Sequence, residues 1–184
     1  NQTQNMAYIL GLWWSDGSIA PSHTGEINEF NITLKNEEKL LTQIRNEMGS
    51  NIPLKIHPQT GAFVLKILSR KICQDLITLG GRRNKSKNLS WPNIDDDFIP
   101  SFIKGYFDGD GSLSVSNRSN DRTEYTVKIC GTNELLSFIK DFIEQNNIAT
   151  INQFYKRRST DEVWGLELPG HYQVKKFLDL IYEG

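Results

Sequence analysis

The sequence predicts a mixed α/β chain of the α+β class, built from two similar halves that each run helix–strand–strand–helix–strand–strand–helix. Three observations predict it. An apolar helical segment ending in Asp-Gly occurs twice, the same order of strand and helix patterns follows each copy, and equivalent residues keep a nearly constant spacing. Asp16 and Asp110 are 94 residues apart (110 − 16), and Phe30 and Tyr125 are 95 apart (125 − 30). A constant offset along the chain indicates an internal duplication.

The composition bounds the class of protein. With 184 residues, 38% of them hydrophobic, the chain can form one domain or two small halves that pack intimately. Cys73 and Cys130 lie in apolar stretches, and we expect reduced thiols in a reducing compartment. The sequence contains no apolar window of membrane-spanning length, and its first residues lack the features of a secretion signal. We therefore expect an intracellular protein with no membrane partner.

The repeated helical segments occupy residues 9–19 and 103–113. Each carries small residues four positions apart: Gly11 and Ser15 in the first copy, Gly105 and Gly109 in the second. Small residues at this spacing leave a groove in which two helices can approach closely, because the interaxial distance depends on the side chains at the contact. If the two segments cross there, Asp16 and Asp110 come to lie side by side.

An aspartate in the last turn of a helix faces the negative end of the helix dipole, where a cation would be preferred. A bound divalent metal ion explains why Asp16 and Asp110 both occupy this position. Gly17 and Gly111 are predicted to end the helices in the left-handed conformation. The alternative is that Asp-Gly simply forms a turn, as it does in many proteins. Two copies in matching contexts favour the metal site.

The first half continues with a strand at residues 29–35, where apolar and polar side chains alternate. Asn36 is the predicted N-cap of a helix that ends at Gly49, and its apolar positions are Leu40, Leu41, Ile44 and Met48. Two strands, at residues 52–57 and 62–68, flank a turn of Pro-Gln-Thr-Gly. A short helix at residues 72–79 is stopped by two glycines.

The second half repeats this order. A strand at residues 124–130 precedes a helix capped by Thr132, whose apolar positions are Leu135, Leu136, Ile139 and Ile143. Strands at residues 149–155 and 163–168 flank a turn, and a helix at residues 173–182 follows. We place the N-terminal half at residues 5–81, the C-terminal half at 98–184, and a connection with basic and acidic runs at 82–97.

The repeated segment resembles the signature helix of the LAGLIDADG homing endonucleases, in their compact single-chain form with two motifs. The second copy, Gly-Tyr-Phe-Asp-Gly-Asp-Gly-Ser at residues 105–112, matches closely. The first departs from the pattern at Trp13, Trp14 and Ser15 but keeps the Asp-Gly ending. The resemblance covers essentially the whole chain. It implies a pseudo-twofold fold in which the signature helices form the interface and two antiparallel sheets form a DNA-binding saddle.

The resemblance implies a monomeric, site-specific double-strand DNA endonuclease that uses Mg²⁺, with Ca²⁺ or Mn²⁺ able to substitute. Such a homing endonuclease cuts a long target and leaves short 3′ overhangs. Two carboxylates presenting divalent ions can clamp the attacking and leaving oxygens of a phosphodiester. The implied metal ligands are Asp16, Asp110 and the backbone carbonyls of Ser15 and Gly109.

A basic residue near the metal would polarise water or stabilise the transition state. The resemblance points to Lys85, for which a simple phosphate contact is an equally good interpretation. The sequence ends before a counterpart of Lys85 occurs in the second half. Lys128 is the predicted basic residue for the other DNA strand, with Lys35 as a helper in its own half.

Alternation in the strands assigns their faces. Phe30, Ile32 and Leu34 should pack beneath the helices, and Leu113 and Val115 should lie opposite the serines of their strand. The outward set is rich in amide, hydroxyl and cationic groups, which recognise base edges and phosphates. The predicted DNA contacts on strands are Asn31, Thr33, Lys35, Lys55, His57, Lys66, Ser114, Ser116, Arg118, Thr126, Gln153, Tyr155 and Arg157. An ordinary solvated sheet face is the alternative for any one of them.

Basic runs add predicted phosphate contacts at Arg82, Arg83, Lys87 and Arg158. The net charge of −1 weighs against nucleic-acid binding. Two other functions stay open: a non-cleaving DNA-binding regulator of the same fold, which would be expected to lose the acids, and a maturase that binds intron RNA. The sequence does not distinguish a bacterial, phage or organellar source.

Overall fold

In a computed structural model of the protein, the described residues are 3–22, 25–85, 88–117, 123–156 and 163–183. The first half comprises α1 (Gln4–Asp16), β1 (Gly17–Pro21), β2 (Ile27–Leu34), α2 (Glu38–Glu47), β3 (Lys55–Ile56), β4 (Phe63–Leu68) and α3 (Arg70–Thr78). The second comprises α4 (Ile99–Asp110), β5 (Gly111–Asn117), β6 (Thr123–Gly131), α5 (Asn133–Gln145), β7 (Tyr155–Lys156), β8 (Trp164–Pro169) and α6 (His171–Tyr182). This order confirms the predicted α+β class and the repeat.

Each half contains one four-stranded antiparallel sheet. The strand orders are β1-β2-β4-β3 and β5-β6-β8-β7, so the two sheets have the same topology. In the central strand of the first sheet, Phe30, Ile32 and Leu34 are buried, as the alternation predicts. Val127 and Ile129 are fully buried in the second sheet. The helices therefore cover one face of each sheet, and the polar positions of β2 and β6 lie on the opposite face.

The two halves meet where α1 crosses α4, and glycine makes the crossing possible. A methyl group added at Gly11 would lie 2.0 Å from the carbonyl oxygen of Phe102. One added at Gly105 would lie 2.0 Å from the carbonyl oxygen of Tyr8. The two contacts are equivalent, since 102 − 8 and 105 − 11 both equal 94. The helices are thus related by a local twofold, with backbone against backbone.

Strand register refines the duplication. Gly17 pairs with Ile32, and Gly111 pairs with Ile129, so the strands correspond at an offset of 97 (129 − 32) rather than the predicted 95. A shift of one residue would have moved every side chain to the other face of the sheet. Because the difference is two residues, the predicted inward and outward faces are unchanged.

The predicted left-handed conformation of Gly17 and Gly111 is wrong. Both residues are extended, with φ of −91° and −94°. Glycine is needed there for space: a Cβ at Gly17 would lie 2.1 Å from the indole of Trp13, and one at Gly111 would lie 2.1 Å from the ring of Phe107. The chain passes directly from each helix into a strand over an aromatic ring.

Some helix starts also differ from the prediction. Asn36 is not the N-cap of α2; it has φ of +63°, and Glu37 occupies the cap position. Asparagine tolerates the left-handed region, so Asn36 turns the chain from β2 into the helix. Ser69 caps α3 by accepting a hydrogen bond from the backbone N–H of Ile72, and α3 therefore starts two residues before the prediction.

The outer strands are shorter than predicted. Residues 52–57 and 149–155 contribute only β3 (Lys55–Ile56) and β7 (Tyr155–Lys156), each with two register pairs at a sheet edge. Ile151 is buried without being in a strand, and its N–H donates to the Glu144 carboxylate at 2.9 Å. The apolar residues in these segments fill the core from irregular backbone, which alternation alone cannot distinguish from a strand.

Burial of the second edge strand departs from the prediction as well. Leu113 pairs with the buried Val127 and so lies on the helix side of the sheet, yet Leu113 and Val115 are 47% and 57% exposed. Ile19, the counterpart of Leu113, is 4% exposed. β5 is an edge strand and is two residues longer than β1. Leu113 lies within the length that the two strands share, so the helix side of β5 is less completely covered than that of β1.

The connection between the halves packs against both of them. The Trp14 indole N–H donates to the carbonyl of Ser90 at 2.9 Å, and the Thr132 hydroxyl donates to the carbonyl of Leu89 at 2.5 Å. Cys73 is buried and Cys130 partly buried, and both are thiols, as predicted. Within the described ranges, the structure contains no helix with the length and apolar character needed to cross a membrane.

Candidate active site

The site lies where α1 and α4 end side by side, with Asp16 and Asp110 as their last residues. Gly109 allows the two ends to meet. A methyl group at Gly109 would lie 1.9 Å from the Ser15 hydroxyl oxygen and 2.8 Å from a carboxylate oxygen of Asp16. The small residues that precede each aspartate in the sequence therefore bring the two carboxylates together, as the repeat predicts.

Both carboxylates reach solvent, but protein atoms crowd the helix ends. Loss of hydration raises the pKa of Asp16, and the nearby positive charge of Lys85 opposes that rise. The pKa of Asp110 is raised by the same loss of hydration and then by the negative charge of Asp16. Lys85 and a hydrogen bond from Tyr106 oppose this second rise. A carboxylate whose ionisation is disfavoured by burial and by a neighbouring acid forms a site in which a cation is stabilised.

Lys85 is 5% exposed and points into the end of α1. Its ammonium donates to the backbone carbonyls of Trp14 at 2.6 Å and Ser15 at 2.7 Å. Burial lowers the pKa of Lys85 to about 8, while the charges of Asp110 and Asp16 act in the opposite direction. The ammonium also lies 5.4 Å from the centre of the Trp13 ring. A buried lysine held by carbonyls beside two acids is part of the site, not a surface cation.

The backbone before Lys85 explains its direction. Asn84 has φ of +54°, a conformation that asparagine accepts better than most residues. This turn directs Lys85 inward while Arg82 and Arg83, in the same basic run, are exposed. A basic run in the sequence could not show which of its members is buried.

Sequence reasoning missed Tyr106, which is 2% exposed and lies one helical turn before Asp110. Its hydroxyl donates to the carbonyl of Cys130 at 2.7 Å and is also within hydrogen-bonding contact of the Asp110 carboxylate. Burial raises the pKa of Tyr106 well above its usual value. The equivalent residue of α1 is Leu12, so the two aspartates have different surroundings. A tyrosine four residues before the second aspartate was the available signal.

Asp108 was also missed. Its carboxylate accepts hydrogen bonds from the hydroxyls of Tyr8, at 2.9 Å, and of Tyr182. The network joins α1, α4 and α6 beside the helix crossing. Burial, followed by the charge of Asp108, raises the pKa of Tyr8. The Asp108 carboxylate is bound by these two hydroxyls. Asp108 therefore holds the three helices together and is not a third acid of the site.

The remaining predicted basic residues are placed differently from Lys85. Lys128 forms an ion pair with Glu167 at 2.7 Å on the outward face of the second sheet, and that hydrogen bond raises the pKa of Lys128. Ser112, the second residue after Asp110, is its register partner on β5. Lys35 is exposed just after β2. The structure thus places Lys128 one strand away from the end of α4.

The predicted DNA contacts that the structure describes lie on the strands, in the segments beside them or in the exposed connection. Thr33, Lys35, Lys55, Ser114, Ser116 and Gln153 are exposed, and Asn31, His57, Lys66, Thr126 and Tyr155 are partly buried. The ring of Tyr155 lies over Gly165, where a Cβ would be 2.3 Å from it. The predicted contacts Lys87, Arg118, Arg157 and Arg158 lie outside the described residues.

The donor set is suited to a hard divalent cation. Among the described residues, no group of three or more histidine, cysteine, aspartate or glutamate side chains is placed to hold a metal ion, so Asp16 and Asp110 are a two-carboxylate site. Oxygen ligands and few protein donors suit Mg²⁺, which keeps several waters.

Comparison with known proteins supports the resemblance seen in the sequence. A family model described as a LAGLIDADG-like domain matches residues 97–182, which contain the second motif. Comparison with curated protein sequences gives no match. The resemblance to the LAGLIDADG homing endonucleases is thus confirmed for the half that carries the close copy of the motif.

Solved structures share the fold over nearly the whole chain. I-LtrWI, a LAGLIDADG homing endonuclease bound to target DNA, matches with a TM-score of 0.64 and 12% identity, covering 98% of this chain and 83% of that one. I-SmaMI, bound to an uncleaved DNA target with calcium ions, matches with a TM-score of 0.64 and 12% identity over 99% and 85%. A variant of the homing endonuclease I-DmoI, in complex with nicked target DNA and manganese, matches with a TM-score of 0.65 and 16% identity over 98% and 96%.

Proposed function

We propose that this chain, which carries a LAGLIDADG-like domain at residues 97–182 and has the fold of the LAGLIDADG homing endonucleases throughout, is a site-specific double-strand DNA endonuclease. It acts inside a cell as a monomer, and its halves at residues 5–81 and 98–184 are joined by 82–97. Each half contacts one side of a long target, and cleavage leaves short 3′ overhangs.

One observation carries the proposal: two carboxylates and a buried ammonium meet at the crossing of the duplicated helices. Asp16 and Asp110 are the last residues of these helices, and the charge of each acts on Lys85. A structural role does not require paired acids at helix C-termini, where the dipole disfavours them. A DNA-binding regulator of this fold would have no use for them either.

The carboxylates of Asp16 and Asp110 would hold Mg²⁺, with the carbonyls of Ser15 and Gly109 as further ligands. When bound, the ion supplies charge neutralisation at phosphorus and an activated water. Two of the related structures were solved with calcium or manganese, which supports a divalent ion in this position. In this chain the Ser15 carbonyl also accepts from Lys85, so the lysine fixes the direction of that oxygen.

The residues of the chain then have separate tasks. The outward faces of the two sheets bind the DNA grooves and align the target. Asp16 and Asp110 hold their positions through the glycine contacts of α1 and α4. Lys85 uses two of its three N–H donors on the carbonyls of Trp14 and Ser15, and the third remains for a water or a phosphate oxygen. Its positive charge stabilises the negative charge that develops during hydrolysis.

The test is cleavage of a randomised double-stranded DNA library by the chain in Mg²⁺. Recovery of one long target, cut on both strands with 3′ overhangs, would support the proposal. Binding of a defined DNA without cutting in Mg²⁺ or Mn²⁺ would instead indicate the regulator. If neither DNA binding nor cutting occurs, tight binding of a structured intron RNA without metal would indicate the maturase.

Lys85→Met is expected to lower the cleavage rate by roughly 10²–10³-fold, the usual cost of removing one group that stabilises the transition state. DNA affinity should change little, because the Lys85 side chain is buried at the end of α1. Single-turnover cleavage at saturating enzyme and a separate binding assay in Ca²⁺ would measure the two effects.

Lys71→Met is the matched control, since Lys71 is an exposed lysine on α3 paired with Asp75. It should leave the cleavage rate within about twofold, as expected for a surface change away from the site. If Lys85→Met weakens binding and leaves the rate at saturation unchanged, Lys85 is a phosphate contact only.

A further inference from the structure

Two lysine–glutamate ion pairs lie on the outward sheet faces, one in each half. Lys66 on β4 pairs with Glu29 on β2 at 2.6 Å. Lys128 on β6 pairs with Glu167 on β8 at 2.7 Å. In both cases the partners come from the two central strands of the sheet. All four side chains retain some exposure, from 18% for Glu29 to 42% for Glu167.

Both pairs adjoin the carboxylate site. Strand register aligns Ser18, Asn31 and Lys66 in one row across the first sheet. It aligns Ser112, Lys128 and Glu167 in the equivalent row of the second. Ser18 and Ser112 are each the second residue after a site aspartate. Lys66 is two strands from Ser18, whereas Lys128 is one strand and Glu167 two strands from Ser112, with strands about 4.8 Å apart.

The glutamates need an explanation on a face that meets DNA. Phosphates repel a carboxylate, and exposed ion pairs contribute little to folding stability. In the major groove, however, a carboxylate can accept a hydrogen bond from the N4 amino group of cytosine, and lysine can donate to O6 and N7 of guanine. A lysine and a glutamate held side by side therefore present the complement of the major-groove edge of a G·C base pair.

We propose, building on the proposed endonuclease function, that each lysine–glutamate pair recognises one G·C base pair of the target. Because each half carries one pair, the two base pairs lie on opposite sides of the cuts. Glu29 and Glu167 contact cytosine, and Lys66 and Lys128 contact guanine.

The two pairs differ in polarity and in position. The acid is on β2 in the first half, but its counterpart β6 carries the lysine in the second. Lys128 lies directly opposite Glu167, whereas Lys66 lies opposite Asn31 and reaches Glu29 two residues along β2. The two G·C base pairs are therefore not related by the twofold of α1 and α4.

The experiment profiles cleavage of every single-base variant of the recovered target by the parent chain, by Glu29→Gln and by Glu167→Gln. The parent should require G·C at two positions, one on each side of the cut. Each substitution should relax selectivity at its own position by roughly 5- to 150-fold and leave the other position unchanged. Glutamine should also admit A·T there, because its amide pairs with adenine.

Asp75→Asn is the matched control, since it removes the acid of an exposed ion pair on α3. It should leave the whole profile unchanged. Thermal unfolding of all variants distinguishes a role in stability from a role in base recognition. If Glu29→Gln and Glu167→Gln lower the melting temperature and leave the cleavage profile unchanged, the inference is wrong. A target with no G·C preference on either side of the cut would also overturn it while the endonuclease stands. Failure to recover any target would overturn both.

Discussion

Asp16→Asn and Asp110→Asn are each expected to abolish double-strand cleavage while leaving DNA binding intact. Each substitution removes a carboxylate from a site with only two of them within the described residues, while keeping the shape of the side chain. The rate should fall by more than the roughly 10–100-fold that follows loss of a group contacting a metal ligand. Single-turnover cleavage of the recovered target in Mg²⁺ measures it.

The two variants should not be equivalent. Tyr106 contacts Asp110 but Leu12 occupies its position beside Asp16, so the residual nicking of the two DNA strands should differ between them. Asp179→Asn serves as control, because Asp179 is a carboxylate on α6 paired with Lys175. Full double-strand cleavage by either site variant would contradict the assignment of both acids.

Gly11→Ala and Gly105→Ala are each expected to lower the free energy of unfolding by about 3 kcal/mol, at the upper end of the usual cost of overpacking. The added methyl group would lie 2.0 Å from a backbone carbonyl oxygen of the other helix, and backbone cannot move aside as a flexible side chain does. In a solvent-exposed helix, replacing glycine by alanine would stabilise the fold by about 1 kcal/mol. The sign of the change in unfolding free energy therefore shows whether the helices are in contact at that position. Urea unfolding measures it.

Cleavage should fall in the same variants, because separating α1 from α4 separates Asp16 from Asp110.

Gly61→Ala provides the comparison: no atom lies within 4 Å of the added methyl group, but φ is +69°. Its cost should be limited to the conformational strain of about 1–2 kcal/mol. The double variant should lose less than the sum of the single ones, since both contacts belong to one crossing. Additive losses would indicate two independent sites.

The sequence by itself determined the repeat, the order of elements and the identity of the two acids. Motif copies with small residues four positions apart and a terminal Asp-Gly predicted that Asp16 and Asp110 meet, and the alternation of β2 and β6 predicted which faces of those strands are buried. These features are local. The alternation along a strand and the spacing of small residues along a helix show which face is buried, whatever element packs against that face. An error of two residues in the strand offset left every face correct.

Only the tertiary structure decided what surrounds the acids. The contacts of Lys85 with the carbonyls of Trp14 and Ser15 join residues 71 and 70 positions apart, and no local pattern specifies them. The need for glycine at position 17 arises from the ring of Trp13, and the pairing of Glu29 with Lys66 depends on strand register. Such contacts arise from how closely the elements approach, which is set by packing of the whole chain rather than by the sequence of any one segment.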